Sequence, residues 1–248
     1  MNYNPFSLEG KTILVTGASS GIGKATAIEC SRLGAKVVIT GRNEERLKQT
    51  LSLLEGNGHM SIIADLAIED DISKLVELCP VLDGLVNNAG ITVTLPTQFI
   101  SREKLMNILE INTFSPILLF QKLLKKKKIG KGSSVVFTSS ISGQYCASMG
   151  NSLYSTTKAA IGGFVKNAAL DLASKNIRVN AVCPGMIDTH ILDAGVVDAQ
   201  DLEIERQKYP LKRFGKPEEV AWAFIYFLSN ASGFTTGSTL VIDGGYTL

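Results

Sequence analysis

Seven short runs of apolar, mostly β-branched residues alternate along this chain with longer segments of helical pattern. Each run is almost continuously apolar, as expected of a strand that has no face exposed to solvent. Strands that alternate with helices predict an α/β fold, in which helices cover both faces of a doubly wound parallel sheet. The predicted strands are residues 12–16, 36–40, 61–64, 85–87, 134–138, 178–182 and 239–242.

The segments between these runs predict six helices within one domain. A chain of 248 residues with 45% apolar content is long enough to bury a large core, and no linker, repeat or low-complexity stretch divides residues 1–248. The longest stretch without a helical pattern, about 186–212, follows the sixth strand and is a candidate substrate lid. The predicted helices are residues 21–33, 43–55, 68–79, 101–128, 152–175 and 217–229.

Composition argues against several classes of partner. The formal net charge of +2 provides no strong field for a nucleic acid or an anionic membrane surface. The four cysteines have no metal-like spacing, so we predict free thiols in a reducing compartment and no metal site. The sequence has neither a secretion-signal pattern nor an apolar stretch long enough to span a membrane, and a cytoplasmic location is expected.

The first predicted strand ends at Thr16, and three glycines follow it at positions 17, 21 and 23. Glycines at a strand-to-helix turn permit a tight bend and a close approach of the backbone to a pyrophosphate, while the helix N-terminus offers free amides to the anion. The spacing differs from Gly-x-Gly-x-x-Gly. The turn is therefore interpreted either as a dinucleotide site or as a purely structural turn.

The end of the second predicted strand indicates which dinucleotide would bind. NAD-binding chains usually place an acidic residue here to accept a hydrogen bond from the ribose 2′-OH, whereas this chain has Gly41 and Arg42. A guanidinium suits a 2′-phosphate. We therefore predict NADP(H) in preference to NAD(H); the alternative is a surface arginine that opens the next helix.

Tyr154 and Lys158 are four residues apart in a predicted helix, so both lie on one face of it. A free phenol has a pKa of about 10 and is a poor proton donor at neutral pH, but a cation within a few Å can lower that pKa. This spacing also arises by chance in many helices, and a solvated lysine is the alternative.

Several short motifs follow one another in a characteristic order. They are Thr16-Gly-x-x-x-Gly-Ile-Gly23, Asn87-Asn-Ala-Gly90, Asn112, Ser140, Tyr154-x-x-x-Lys158 and Pro184-Gly-x-Ile-x-Thr189. In this order they resemble the short-chain dehydrogenase/reductase family over nearly the whole chain. Residues 210–220 and 236–248 further resemble the 3-oxoacyl-acyl-carrier-protein reductases, although many sugar, polyol and steroid dehydrogenases share the closing pattern.

The resemblance implies a single-domain Rossmann fold with seven parallel strands in the order 3-2-1-4-5-6-7. Asp65 would accept a hydrogen bond from the adenine amine, and Asn87 would brace the sheet. The residues that follow the fourth and sixth strands would lie against the cofactor. The implied cofactor-binding residues are Gly17, Ser19, Ser20, Gly21, Ile22, Gly23, Arg42, Asp65, Leu66, Asn88, Ala89, Gly90, Tyr154, Lys158, Pro184, Gly185, Ile187 and Thr189.

The resemblance also assigns catalytic roles to four residues. Tyr154 would donate a proton, Lys158 would lower the pKa of Tyr154 and bind the nicotinamide ribose, and Ser140 would hydrogen-bond the substrate oxygen. The side chain of Asn112 would hold a water that connects Lys158 to solvent. Taken singly, Ser140 could equally form a strand-end turn and Asn112 could be a helix-interior amide.

The loop before Tyr154 departs from the family pattern. The family usually places its serine thirteen residues before the tyrosine, whereas Ser140 precedes Tyr154 by fourteen. A one-residue insertion in the loop explains the difference. The loop would then line the substrate pocket, with Tyr145 and Cys146 as substrate contacts beside Ser140 and Tyr154; the alternative for Tyr145 and Cys146 is a packing role.

These patterns predict an NADP(H)-dependent oxidoreductase that reduces a carbonyl to a secondary alcohol. The first hypothesis for its substrate is a 3-oxoacyl thioester of fatty acid biosynthesis. This substrate would be either a small molecule or a group bound to an acyl carrier. The alternatives are an NAD(P)-dependent dehydrogenase of a sugar, polyol or steroid alcohol, and a nucleotide-sensing protein without turnover. The resemblance implies a homotetramer or homodimer, and we expect no nucleic acid or membrane partner.

Overall fold

The computed structural model describes residues 3–189 and 199–248. Its strands are β1 Thr12–Thr16, β2 Lys36–Gly41, β3 Met60–Ile63, β4 Leu82–Asn87, β5 Ile129–Thr138, β6 Arg178–Pro184 and β7 Thr239–Ile242. They form one sheet in the order β3-β2-β1-β4-β5-β6-β7, and every neighbouring pair is parallel. The number, direction and order of the strands are therefore confirmed.

Helices connect successive strands and cover both faces of the sheet. Two buried clusters fill the layers between the helices and the sheet. On one face, Leu75, Leu119 and Val165 pack beneath β4 and β5; on the other face, Leu47 and Phe224 are in the corresponding cluster. The helices are α1 Gly21–Arg32, α2 Glu44–Leu51, α3 Glu69–Leu78, α4 Arg102–Leu109, α5 Ser115–Lys125, α6 Ser152–Leu172, α7 Ala199–Gln207 and α8 Pro217–Leu228.

The prediction of one continuous helix over 101–128 is wrong. A π-helical turn, Glu110–Phe114, separates α4 from α5. Pro116 lies at the start of α5 and has no N–H to donate to the carbonyl four residues before it. The hydroxyl of Ser115 also donates to the Glu110 carbonyl at 2.7 Å. Both features interrupt the regular α-helical hydrogen bonds at this point.

The predicted lid is not irregular throughout, because α7 lies within it. Its described ends are close together. Gly215 N donates to the Met186 carbonyl at 3.0 Å, and Asp188 N donates to the Gly215 carbonyl at 2.8 Å. The hydroxyl of Tyr209 accepts from Met186 N at 3.0 Å. Residues 190–198 of the predicted lid lie outside the described residues.

Candidate active site

A cavity of about 720 Å³ runs along the edge of the sheet where the parallel strands end. The loops that follow β1 to β6 all contribute to its lining. Parallel sheets bind ligands at this edge because the connections to the following helices diverge there. Every residue predicted from the sequence to bind the cofactor lines this cavity, with the exception of Gly23.

The glycine turn after β1 is built for close packing. Gly17 has a φ of +66°, and a Cβ on it would lie 2.9 Å from the Ala89 Cα. A Cβ on Gly23 would lie 2.3 Å from the Gly17 carbonyl oxygen. Gly23 therefore lets α1 pack against the turn and does not itself line the cavity, and its expected role in cofactor binding stays a prediction.

The start of α1 fits a pyrophosphate. Its N-cap, Ser20, makes no side-chain capping hydrogen bond among the described residues, and the first turn contains no acidic residue. Gly21, with a φ of +52°, borders the cavity at the same place. Uncapped amides and the positive end of a helix dipole suit an anion. This arrangement agrees with the dinucleotide interpretation of the sequence.

Asn88, rather than Asn87, braces the end of β4. The Asn88 side chain donates to the Thr16 carbonyl at 3.3 Å and accepts from the Thr138 hydroxyl at 3.3 Å, so it joins β1, β4 and β5. Both side-chain polar atoms of Asn87 are buried without a hydrogen-bond partner among the described residues. The expected bracing role of the Asn87 amide is therefore not supported by any hydrogen bond among the described residues.

Two arginines line the far end of the cavity. Arg42 follows β2 and lies 3.8 Å from a carboxylate oxygen of Asp65. Arg46 lies in the first turn of α2, where the side chain of Asn43 accepts from its N–H at 2.9 Å. The sequence patterns did not single out Arg46 or Asn43, although both line the cavity. A helix that begins with an asparagine cap directly after Arg42 was the available signal.

Tyr154, Lys158 and Ser140 meet at the inner end of the cavity. The Lys158 ammonium lies 5.6 Å from the centre of the Tyr154 ring and donates to the Thr138 carbonyl at 2.8 Å. The side chain of Ser140 forms a hydrogen bond with the Tyr154 hydroxyl that favours the phenolate. A phenol, a hydroxyl and an ammonium can together hold a carbonyl oxygen and transfer a proton to it.

Burial is the largest influence on the pKa values of Tyr154 and Lys158. Desolvation lowers the pKa of Lys158 to about 8. It also raises the pKa of Tyr154, and the hydrogen bond with Ser140 offsets only part of that rise. The pKa of Tyr154 in the chain alone is therefore raised, because burial of the charged form costs more than the Ser140 hydrogen bond offsets. That Lys158 lowers the pKa of Tyr154 stays a prediction.

Asn112 lies in the π-helical turn and does not line the cavity. Its side-chain oxygen accepts from Ile91 N at 2.8 Å, and its amide donates to the Ile91 carbonyl at 2.8 Å and to the Thr157 hydroxyl at 3.2 Å. These contacts join the loop after β4 to α6, directly beside Lys158. The side chain of Asn112 therefore has a bracing role, and its expected hold on a water stays a prediction.

The loop between Ser140 and Tyr154 faces outward for part of its length. Tyr145 and Cys146 do not line the cavity, whereas Ser140 and Tyr154 do. Tyr145 is about half exposed, and Met149 is fully exposed. This loop is joined to the one after β4 by a hydrogen bond of 2.7 Å from Leu95 N to the Gly150 carbonyl. The two loops form one rim beside the cavity.

Within residues 3–189 and 199–248, no group of three or more potential metal ligands is present. No helix in these ranges is long and apolar enough to cross a membrane. The described cysteines Cys30, Cys79, Cys146 and Cys183 are all free thiols.

A family model described as Enoyl-(Acyl carrier protein) reductase matches residues 17–247. The 3-oxoacyl-acyl-carrier-protein reductase FabG of Rickettsia prowazekii is 36% identical, with 96% of this chain and 97% of that protein covered. Together with the fold and the cavity, these similarities define a class of protein. The chain belongs to the short-chain dehydrogenase/reductase family.

Solved structures agree with this assignment. A short-chain type dehydrogenase/reductase from Mycobacterium marinum superposes with a TM-score of 0.87 at 32% identity, over 98% of each chain. A putative 2-deoxy-D-gluconate 3-dehydrogenase from Agrobacterium tumefaciens, solved with bound NADP, has a TM-score of 0.88 at 29% identity, over 98% of this chain and 99% of that one. The protein is therefore an NAD(P)-dependent dehydrogenase or reductase. When bound, the dinucleotide supplies or accepts a hydride.

Proposed function

We propose that this protein is an NADP(H)-dependent reductase that converts the carbonyl of a 3-oxoacyl thioester into a secondary alcohol. In this proposal Ser140 and Tyr154 hold the carbonyl oxygen with their hydroxyls. Tyr154 gives that oxygen a proton as the carbonyl carbon is reduced, which leaves a phenolate that solvent protonates again. Lys158 stabilises the phenolate and binds the ribose of the cofactor. Asn112 holds Thr157, the neighbour of Lys158 on α6, in place through a hydrogen bond to its hydroxyl.

The single observation that supports this substrate class is the uncharged rim beside the cavity. Neither residues 91–100 nor residues 141–151 contain a charged side chain. Phe99, Tyr145 and Met149 expose large apolar side chains on these two segments. An acyl chain would find apolar partners there, whereas the carboxylate of a sugar acid would find no cation on the rim.

A substrate panel tests this proposal. The rate of NADPH oxidation would be measured by absorbance with an acetoacetyl thioester, a ketogluconate, a keto sugar and an uncharged cyclic ketone. We expect the thioester to have the highest kcat/KM. A higher kcat/KM with the ketogluconate or the keto sugar would reject the acyl substrate in favour of a sugar or polyol dehydrogenase. The absence of turnover on the entire panel would favour a nucleotide-sensing protein.

The preference for NADP(H) rests on the two arginines at the far end of the cavity. Arg42 and Arg46 both line it there, and a guanidinium can bind a phosphate through two hydrogen bonds. The contact of Arg42 with Asp65 is long, at 3.8 Å, and both side chains are partly exposed. Arg42 can therefore exchange this partner for a 2′-phosphate at little cost.

The cofactor assignment predicts the effect of Arg42→Ala. Because one charge-assisted contact to phosphate is lost, we expect NADPH to bind roughly 10- to 100-fold more weakly while NADH binding changes less than about twofold. Fluorescence titration with each nucleotide measures both constants. Lys48→Ala, which removes an exposed cation from α2 away from the cavity, is the matched control. Equal weakening of NADPH and NADH by Arg42→Ala would reject the assignment.

A further inference from the structure

Gln144, which lies in the loop between β5 and α6, inserts its side chain between the two elements. Its Nε2 donates to the Ser139 hydroxyl at 2.6 Å and approaches the Lys158 carbonyl at 3.4 Å. The Ser139 hydroxyl in turn donates to the same Lys158 carbonyl at 2.9 Å. The side-chain amide of Gln144 thus completes a small network around the backbone of Lys158.

Gly162 provides the space for this amide. A Cβ on Gly162 would lie 2.7 to 2.8 Å from all three terminal atoms of the Gln144 side chain. Residue 162 is one helical turn beyond Lys158, so its missing side chain opens the path to the Lys158 carbonyl. At the next residue, Gly163, no atom of the described residues lies within 4 Å of the equivalent position. The close approach is therefore specific to Gly162.

The network joins the two ends of the candidate active site. Ser139 is bonded to Ser140 at the end of β5, and both are buried. Lys158 is also buried, and its ammonium donates to the carbonyl of Thr138 on the same strand end. The Gln144 amide therefore fixes the height of Lys158 on α6 relative to the strand end that carries Ser140.

We propose that Gln144 is a positioning residue, which holds Lys158 and Tyr154 at the correct distance from Ser140 through the Ser139 hydroxyl and the Lys158 carbonyl. Gln144 does not line the cavity, so this role requires no contact with substrate or cofactor. The inference rests on the proposed acid–base roles of Tyr154, Lys158 and Ser140. It does not depend on which carbonyl compound is the substrate.

Gln144→Met tests the positioning role, because methionine keeps the length of the side chain and removes the amide. We expect kcat to fall roughly 10- to 100-fold, as displacements of a catalytic group by about 1 Å do. The dissociation constant of the dinucleotide and the KM of the substrate should change less than about threefold. If Gln144 only stabilised the fold, Gln144→Met would lower the melting temperature, and kcat would not fall selectively while the dissociation constant and KM stayed near those of the parent. A kcat equal to that of the parent would overturn the proposal.

Gly162→Ala tests the same contact from the other side. Alanine favours a helix more than glycine does, yet its methyl would displace the Gln144 amide. We therefore expect a fall in kcat similar to that of Gln144→Met, without a loss of helix content by circular dichroism. Gly163→Ala is the matched control for helix propensity and should retain the parent kcat. A parent-like kcat in Gly162→Ala would overturn the proposal.

The double variant decides whether the two residues act through one contact. If Gly162→Ala acts by displacing Gln144, adding it to Gln144→Met should lower kcat less than about threefold further. If the fall in kcat of the double variant equals the product of the two single falls, Gly162 and Gln144 act independently, and this result would overturn the proposal. All ratios are taken with the substrate that the parent turns over fastest. Failure of the 3-oxoacyl assignment therefore leaves this test intact and can be distinguished from it.

Discussion

The buried ammonium of Lys158 destabilises the fold, because its charge is removed from water. Burial lowers its pKa to about 8 from its ordinary value of 10.5. The charged form is thus disfavoured in the folded chain and not in the unfolded chain. Such sites are common where an acid or base must be poised for proton transfer near neutral pH.

Lys158→Met should therefore stabilise the protein without its cofactor. One unit of pKa corresponds to about 1.4 kcal/mol, so we expect a gain of roughly 1 to 3 kcal/mol in the free energy of unfolding at pH 6.5. The folded pKa is depressed for a base, so the cost is full below about pH 8 and disappears as the pH rises to 10.5. Urea unfolding of both proteins at pH 6.5 and pH 10 measures this. A Met variant less stable than the parent at pH 6.5 would refute the account.

The sequence predicted which residues belong to the site better than it predicted which atoms their side chains contact. The motif order singled out Ser140, Tyr154 and Lys158, which the structure brings to one end of the cavity. It could not predict that the Asn112 side chain binds the Ile91 backbone, or that Asn88 rather than Asn87 braces β4. Such contacts depend on which neighbour lies within hydrogen-bonding distance, and this is set by tertiary packing that no local pattern encodes.

At the scale of elements, strands were predicted more accurately than helix ends. Every predicted strand exists, because an apolar run buried on both faces has a strong local pattern. Helix α7 escaped prediction because none of its residues 200–207 is fully buried, and Gln200, Asp201, Glu203 and Ile204 are exposed. The break between α4 and α5 depended on Pro116, whose effect is visible in the sequence but was outweighed by the helical pattern around it.

The start of α8 depends on one carboxylate. Glu219 accepts two hydrogen bonds of 2.7 Å from the Arg213 guanidinium and one of 2.7 Å from Lys216 N. The Arg213 hydrogen bonds, followed by the bond from Lys216 N, lower the pKa of Glu219 to about 2. The same contacts join the segment before α8 to the first turn of the helix.

Glu219→Gln should remove this stabilisation in a pH-dependent way. A carboxyl with a lowered pKa stabilises the fold above about pH 4.5, and the effect is lost as the pH falls toward 2. Because the pair lies near the surface, where solvent screens it, we expect a loss of only about 1 kcal/mol at pH 7. Thermal unfolding at pH 7 and pH 3 measures the difference between the two proteins. A difference that grows at pH 3 would contradict the assignment.

At the scale of the whole molecule, one sheet edge gathers residues that are far apart in the sequence. Loops after six strands meet there, from Gly17 to Thr189. The topology of the sheet follows from the pattern of the strands and from the right-handed crossover between parallel strands. The location of the cavity could therefore be predicted. The substrate could not, because the rim consists of loops whose shape depends on packing against one another.

Exposed apolar side chains suggest that copies of the chain associate. Leu118 on α5 and Leu170 on α6 are exposed, and so are Phe234 and Leu248 near the C-terminus. Apolar side chains on an outer surface are often covered in a symmetric oligomer. With the family resemblance, they favour a homotetramer or homodimer. Light scattering should give a mass of four or two times 26.6 kDa, and a mass of one chain would reject this expectation.

Tyr154→Phe tests the proposed role of Tyr154 as the proton donor. The substitution removes one hydroxyl from the cavity and keeps the ring beside Lys158. The measurement is the rate of NADPH oxidation with the best carbonyl substrate, together with the dissociation constant of NADPH for the same protein. We expect kcat to fall at least about 100-fold with cofactor binding within about threefold of the parent. A Tyr154→Phe variant that turns over as fast as the parent would contradict the account.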